Sequence, residues 1–361
     1  MIIFENQYTL IFVTWIDMRN YLFLLAALVL LLPGCGRKTV SGGEPPISVI
    51  FETDLGNDVD DALALDMLYK YLDAGKIRLL AVNLNKNGTA PAEFADIMNT
   101  WYGYPDIPIG IIRDGADCET DAAVNYAKAV VDLKDTGGNP VFARSHPGYA
   151  DYPEAVTLYR KILAAEPDSS VVIVSVGFST NLARLLETPA DGISPMTGRE
   201  LVARKVKLLS TMAGCFIDPD NHEYNVVKDV PSAKAVFESW PTPVVTSPVE
   251  VGGGIKYPGS SIENDFSWAL LHPMVEAYKA YRPMPYDRPT WDPTAVLYAV
   301  EGEGWFTVSP PGRIAVTEEG STFFTEDPAG TRRYLAVNAD QRAAILQHFV
   351  ELISSVPINR Q

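Results

Sequence analysis

Five carboxylates crowd into ten residues near the start of this chain: Glu52, Asp54, Asp58, Asp60 and Asp61, within ETDLGNDVDD. No Lys or Arg occurs between Lys38 and Lys70. Like charges in a partly desolvated turn repel by roughly 4 kcal/mol per pair at about 4 Å when the effective dielectric is near 20, so something must offset them. The flanking sequence says where the turn lies. Ile47 to Phe51 is an apolar run of strand length, and Ala62, Leu63, Leu65, Leu68 and Leu72 recur at helical spacing. The acids therefore sit where the carboxyl end of a buried strand turns into a helix, the edge at which open α/β sheets bind ligands. Hard oxygen donors grouped there favour Ca²⁺ or Mg²⁺ over zinc. A helix N-terminus accounts for one or two acids such as Asp60 and Asp61, but not for five. An EF-hand does not fit, because counting from Asp54 or Asp58 meets neither the glycine at the sixth place nor the glutamate at the twelfth.

From Ile47 onward apolar strands alternate with helical patterns. Strands are expected at 77–84, 107–112, 171–176, 206–212 and 244–246, and helices at 92–101, 153–165, 180–186 and 231–240. This predicts an α/β fold, a doubly wound and mostly parallel sheet flanked by helices. Beyond Glu301 the texture changes to short β-like stretches at 305–308, 313–316 and 322–324 before a last helix at 340–353, which reads as a small C-terminal β-rich appendage. With 361 residues and 47% hydrophobic content the chain can bury a real core, and residues 47–361 read as one domain.

The net charge of −16, with no cluster of Lys and Arg, argues against nucleic acid as a partner. A small neutral or cationic molecule suits it better. Residues 1–35 differ from the rest: an apolar run from Tyr21 to Leu32 is short for a membrane span and ends in Leu32-Pro33-Gly34-Cys35. That segment resembles a bacterial lipoprotein signal, with Leu three places before Cys and Gly just before it. Residues 36–46, GRKTVSGGEPP, then read as a tether. A lipid on Cys35 would be the chain's membrane attachment and would put it in the cell envelope. Loss of Arg19, Glu5 and Asp17 with the leader takes 29 basic and 45 acidic residues to 28 and 43, a net −15. Only Cys118 and Cys215 then remain, so no disulfide framework is implied. His146, His222, His272 and His348 are scattered without zinc spacing.

Four segments in order carry a further resemblance: VIFETDLGNDVDDALAL at 49–65, VVIVSVGFSTNL at 171–182, Glu223-Tyr224-Asn225, and Trp291-Asp292-Pro293 to Val296. Together they resemble the fingerprint of the inosine–uridine-type nucleoside hydrolases. The residues Asp58-Val59, or a pair near them, are extra relative to that family's spacing, Leu55 stands where Pro is usual, Glu52 replaces the first Asp, and Trp291 replaces a histidine. The resemblance implies Ca²⁺-dependent hydrolysis of the N-glycosidic bond of a nucleoside or related riboside. It implies Asp54, Asp61, Asp292 and the backbone carbonyl of Val176 as Ca²⁺ ligands, and Asp54 as the base that takes a proton from the attacking water. Asp60, Asn87, Glu223, Asn225 and Trp291 are the implied substrate contacts, with Asn85 almost as good a match as Asn87.

Chemistry agrees with those roles. Cleaving an N-glycosidic bond passes through an oxocarbenium-like sugar, so carboxylates, an activated water and help for the departing base are needed. Read as an extended loop, 223–225 turns Glu223 and Asn225 to one side, where both can grip a sugar. Asp292 followed by Pro293 is by itself the pattern of a helix cap, and only its register with the other segments points to a ligand. Trp291 has only an indole N–H and cannot be a general acid, but it can stack on a purine; His222 or a chain of waters is left to protonate the base. Two other readings compete. One is a surface-tethered riboside-binding protein that kept the ion site but not turnover. The other is an aspartyl phosphatase of the haloacid-dehalogenase type, built on Asp58 and Asp60 with Lys205 or Lys207. The sequence leaves base preference and a homo-oligomer open.

Overall fold

The first strand, β1 (Ile47–Thr53), is buried along almost its whole length on both faces, which is why apolar residues stand on both sides of it from Val49 to Phe51. Successive residues feed two cores: Val49 and Phe51 pack into one, Ile50 into the other. A computed structural model describes residues 45–116, 125–146, 148 and 151–360. The leader, Cys35, Cys118 and the tether up to residue 44 lie outside the described residues. Among the described residues no helix is long and apolar enough to cross a membrane.

β1 pairs in parallel with β2 (Ile77–Leu84), and β3 (Ile109–Ile111) continues in parallel beyond β2. On its other side β1 pairs in parallel with β4 (Val171–Ser175), followed outward by β5 (Val206–Met212) and β6 (Val244–Ser247). The chain thus winds from β1 out to β3, then crosses back over β1 to begin β4. That reversal is a topological switch point, and it opens a crevice at the carboxyl ends of β1 and β4. The acid-rich turn follows β1, and Val176 follows β4.

A two-stranded ladder of β7 (Lys256–Tyr257) and β8 (Arg288–Pro289) stands apart from the main sheet. The C-terminal strands do not. β9 (Thr307–Val308), β10 (Gly312–Val316), β11 (Thr322–Glu326) and β12 (Arg332–Ala336) continue the same sheet in the order β11-β10-β12-β6-β5-β4-β1-β2-β3, with β9 on β12. β12 joins β6 in parallel and was not expected from its sequence, RRYLA, which opens on two arginines. The reason is that Arg332 is buried and its guanidinium donates to the carbonyls of Phe237 at 2.6 Å, Trp240 at 2.8 Å and Thr242 at 3.3 Å. The expected helices appear at Ala90–Trp101, Ala155–Ala165, Thr180–Glu187, Val230–Ser239 and Ala339–Ser354, together with Gly198–Lys205 and Pro273–Tyr281, which periodicity did not mark.

The turn after β4 lies hard against the turn after β1. A methyl group on Gly177 would stand 2.5 Å from Asn85 Oδ1, 2.7 Å from Asp54 Oδ1 and 2.8 Å from the Asp54 backbone nitrogen. Gly177→Ala is therefore expected to destabilise the protein by about 1–3 kcal/mol and to displace Asp54. Denaturant unfolding of the two proteins checks the first, and an activity loss larger than the unfolded fraction explains checks the second.

Candidate active site

At the switch point lies a cavity of about 690 Å³. Asp54, Asp58, Asp60 and Asp61 reach it from the turn after β1, Val176 from the end of β4, Glu223 and Asn225 from the segment after β5, and Trp291 and Asp292 from the start of the helix Trp291–Glu301. Asn57, His222, Tyr224, Lys228, Tyr281 and Arg282 also line it. Eight of the nine residues named from sequence meet here. Asn87 is the ninth and is not in the lining; it is half-buried after β2, while Asn85, wholly buried against Gly177, does not line the cavity either.

The acids do not act as one block of five. Glu52 alternates away from the turn and is buried against Tyr159, whose hydroxyl donates to it at 2.7 Å, and Asn181, whose amide donates at 2.7 Å. Burial pushes its carboxyl up to about 8. Asp58 turns to Arg288, with which it forms an ion pair. Asp54, Asp60, Asp61 and Asp292 are each almost fully buried. Burial, then the charge of Asp61, holds Asp60 well above the ordinary carboxylate range. Asp61 is raised by burial and then by Asp54, and is drawn back down by the hydroxyl of Thr53 and the charge of Lys86. Asp292 is raised by burial and then by Asp60, Asp61 and Asp54.

Positive charge is already resident here, contrary to the local sequence. Lys86, buried in the turn after β2, donates to Asn57 Oδ1 at 2.6 Å, and Asn57 in turn donates to the Tyr224 hydroxyl at 3.0 Å. Arg288 Nε lies 3.8 Å from Asp60 Oδ1. Burial lowers Arg288 to about 10, which leaves it charged at neutral pH. Sequence reasoning missed both, along with Asn57 and Tyr281, because it weighed cations only along the acid segment. The available signal was position: Lys86 directly follows Asn85 after a strand, and Arg288 stands three residues before Trp291.

Asp292 is not a cap. The N-cap is Thr290, and Asp292 instead sits in the first turn, where its backbone N–H donates to Asp60 Oδ2 at 3.1 Å. That bond ties the helix 291–301 to the turn after β1. Glu223, by contrast, is a cap: 223–225 is not extended but begins the short helix Tyr224–Val227, and the Glu223 carboxylate accepts the N–H groups of Asn225 at 2.8 Å, Gly214 at 3.0 Å and Val226 at 3.2 Å. Asn225 donates its amide to the carbonyls of Val176 at 3.0 Å and Met212 at 3.1 Å. Trp291 lies half in the core and half in the cavity wall, its indole N–H donating to Val249 O at 2.9 Å.

The donor set is all hard oxygen. Asp60 Oδ1 is buried and accepts no hydrogen bond, so the chemistry fits a hard cation such as Ca²⁺. Among the described residues no three His, Cys, Asp or Glu side chains are already drawn together as a metal centre. The phosphatase reading fails on topology. Lys205 precedes β5 and Lys207 is its second residue, so both lie at the edge opposite the cavity, and Lys205 is bound to Asp168 and Glu166 there.

An acid-lined cavity at the switch point of a doubly wound sheet is where α/β enzymes place their small-molecule sites. A family model for the inosine-uridine preferring nucleoside hydrolases matches residues 49–345, and the chain belongs to that family, as an N-glycosidic hydrolase of nucleosides. No curated protein matches it. Solved structures share the fold at low identity. The purine-preferring ribonucleoside hydrolase from Gardnerella vaginalis is 18% identical with a TM-score of 0.66, over 85% of this chain and 98% of that one. The inosine-uridine preferring nucleoside hydrolase from Bacillus anthracis is 16% identical at 0.61, over 85% and 99%. The plant nucleoside hydrolase PpNRh1 is 17% identical at 0.64, over 86% and 100%.

Burial pushes the Glu223 carboxyl up to about 7 despite its three N–H donors. A raised folded pKa gives stability that is present below the ordinary carboxylate value and lost as pH rises through the folded one. Glu223→Gln should therefore gain on the parent protein by up to about 3 kcal/mol between roughly pH 4.5 and pH 8. Urea unfolding at four pH values checks the slope; parallel curves would remove the burial argument.

Proposed function

We propose that this chain is a Ca²⁺-dependent nucleoside N-ribohydrolase held at the bacterial cell envelope by a lipid on Cys35. The observation that carries the reading is convergence: Asp54, Asp60, Asp61 and Asp292 come from two distant segments and share one cavity with the Val176 lining, Asn225 and Trp291. Asp54, Asp61, Asp292 and the Val176 carbonyl would hold the ion. When bound, Ca²⁺ supplies charge to acidify a water and a point of attachment for sugar hydroxyls.

The protein's own groups do the rest. Asp54 takes the proton of the attacking water, and the surrounding carboxylates stabilise the positive charge that develops on the sugar. Asp60, with an acceptor oxygen still unused, receives a ribose hydroxyl. Asn225 fixes the Val176 carbonyl and so the floor on which the sugar rests. The Glu223 carboxylate is largely engaged by backbone N–H groups, so its part is to shape the loop that carries Asn225 and Tyr224. At the other end Trp291 offers a face for the base, and exposed His222, in the lining, is the side chain suited to donate a proton to it.

Release of ribose from inosine, followed by reducing-sugar detection, tests the reading. Chelation should abolish turnover and added Ca²⁺ restore it, and Asp54→Asn should lower kcat by about 10²–10⁴-fold. Binding of inosine without turnover at any Ca²⁺ concentration would mark a binding protein instead. Trp291→Ala should cost about tenfold more with inosine than with uridine, since stacking scales with the base; equal losses with a lowered melting temperature would mark Trp291 as a core residue. Cys35→Ala should release the protein from the membrane fraction, and an unmodified N-terminus on the wild-type protein would end the lipid assignment.

A further inference from the structure

Two cavity-lining residues from distant segments of the chain meet at one side chain. Asp58, in the turn after β1, forms an ion pair with Arg288, and Trp291 has its ring centre 5.0 Å from the Arg288 guanidinium carbon. The same carbon lies 5.0 Å from the ring centre of Tyr281. Both rings line the cavity, and Arg288 also stands 3.8 Å from Asp60 Oδ1 through its Nε. The side chain is only 7% exposed, and its backbone is fixed by the β7–β8 ladder, where Arg288 is paired with Tyr257.

A guanidinium suits this better than an ammonium. It is planar and weakly hydrated, so its faces can lie near aromatic rings while its N–H groups point at carboxylates. We propose that Arg288 is a positioning residue that joins the sugar end of the cavity to the base end. Through Asp58 and Asp60 it sets the carboxylates, and through the rings of Trp291 and Tyr281 it sets the wall against which a flat base packs. This rests on the nucleosidase reading above. It predicts that the two ends are not independent: loosening Arg288 disturbs the Trp291 ring and the hold on the sugar together.

The test uses the full-length protein with Ca²⁺ and the variants Arg288→Lys, Arg288→Gln, Asp58→Asn and the double variant of the last two. Arg288→Lys should keep the parent melting curve yet raise KM for inosine about tenfold with a smaller change in kcat. Arg288→Gln should lower kcat/KM by about a hundredfold, and adding Asp58→Asn to it should cost nothing more. The fluorescence of Trp291, taken as the difference from Trp291→Phe, should shift in Arg288→Gln. Parent-like KM and kcat in Arg288→Lys, additive losses in the double variant, or an unchanged Trp291 emission would each overturn the proposal. Should the parent protein cleave no nucleoside, the functional reading fails on its own, and inosine binding followed by tryptophan quenching then decides on Arg288 by the same comparisons.

Discussion

Four buried aspartates that repel one another are the constraint to which the rest of this molecule answers. Asp54, Asp60, Asp61 and Asp292 are almost wholly removed from water, and burial and mutual charge together push Asp60, Asp61 and Asp292 toward protonation. A fold that merely tolerated them would scatter them. This one gathers them at the carboxyl ends of β1 and β4, where the sheet reverses its winding, and surrounds them with partial compensation. The start of the helix Asp60–Asp73 lends its N–H groups, Thr53 donates to Asp61, the Asp292 N–H donates to Asp60, and Lys86 and Arg288 approach from other segments. Such compensation lowers the repulsion without removing it, which leaves the cluster with a standing affinity for positive charge. An oxocarbenium-like sugar and a hard cation both satisfy that affinity.

The compensation also determines which side chains remain available to a ligand. Glu223 reads as a sugar-gripping residue, yet its carboxylate already accepts three backbone N–H groups, and Asn225 already donates to two carbonyls. Their contribution is therefore architectural first: they lock the segment after β5 onto the ends of β4 and β5. Asp60 is the contrary case. One oxygen is held by the Asp292 N–H and the other accepts no hydrogen bond, so accepting capacity is left open where the helix 291–301 meets the turn after β1.

Much of this was legible in the sequence, and the parts that were not share a cause. The parallel strands β1, β2, β4, β5 and β6 announced themselves because largely buried strands are rich in Val, Ile and Leu. Asp54, Asp60 and Asp61 stood out as acids crowded at a strand-to-helix turn, and Asp292 through its register with the other family-like segments; all four line the cavity. What escaped was each feature defined by a partner distant in the chain. β12 begins with an arginine that is buried by bonding three carbonyls, Asp58 is explained only by Arg288 some 230 residues away, and Glu52 left the cluster because Tyr159 and Asn181 hold it on the other face. Asn87 and Asn85 both lie outside the cavity lining, in a segment whose reach toward the cavity depends on how the turn after β2 packs.

The asymmetry between the two ends of the cavity follows from chemistry. A sugar and a cation are recognised through directional bonds to oxygen, and a carboxylate displaced by an ångström no longer makes them, so that end admits few solutions and keeps a recognisable pattern. A base presents a flat, polarisable face, and contact with such a face can be supplied by an indole, a phenol or an imidazole approaching from several directions. This chain uses that latitude. Trp291 and Tyr281 line one side of the cavity, and a buried Arg288 comes up to both rings while it also approaches Asp58 and Asp60. A buried guanidinium beside an indole is more stable with a carboxylate in reach, and Asp58 supplies one from the turn after β1.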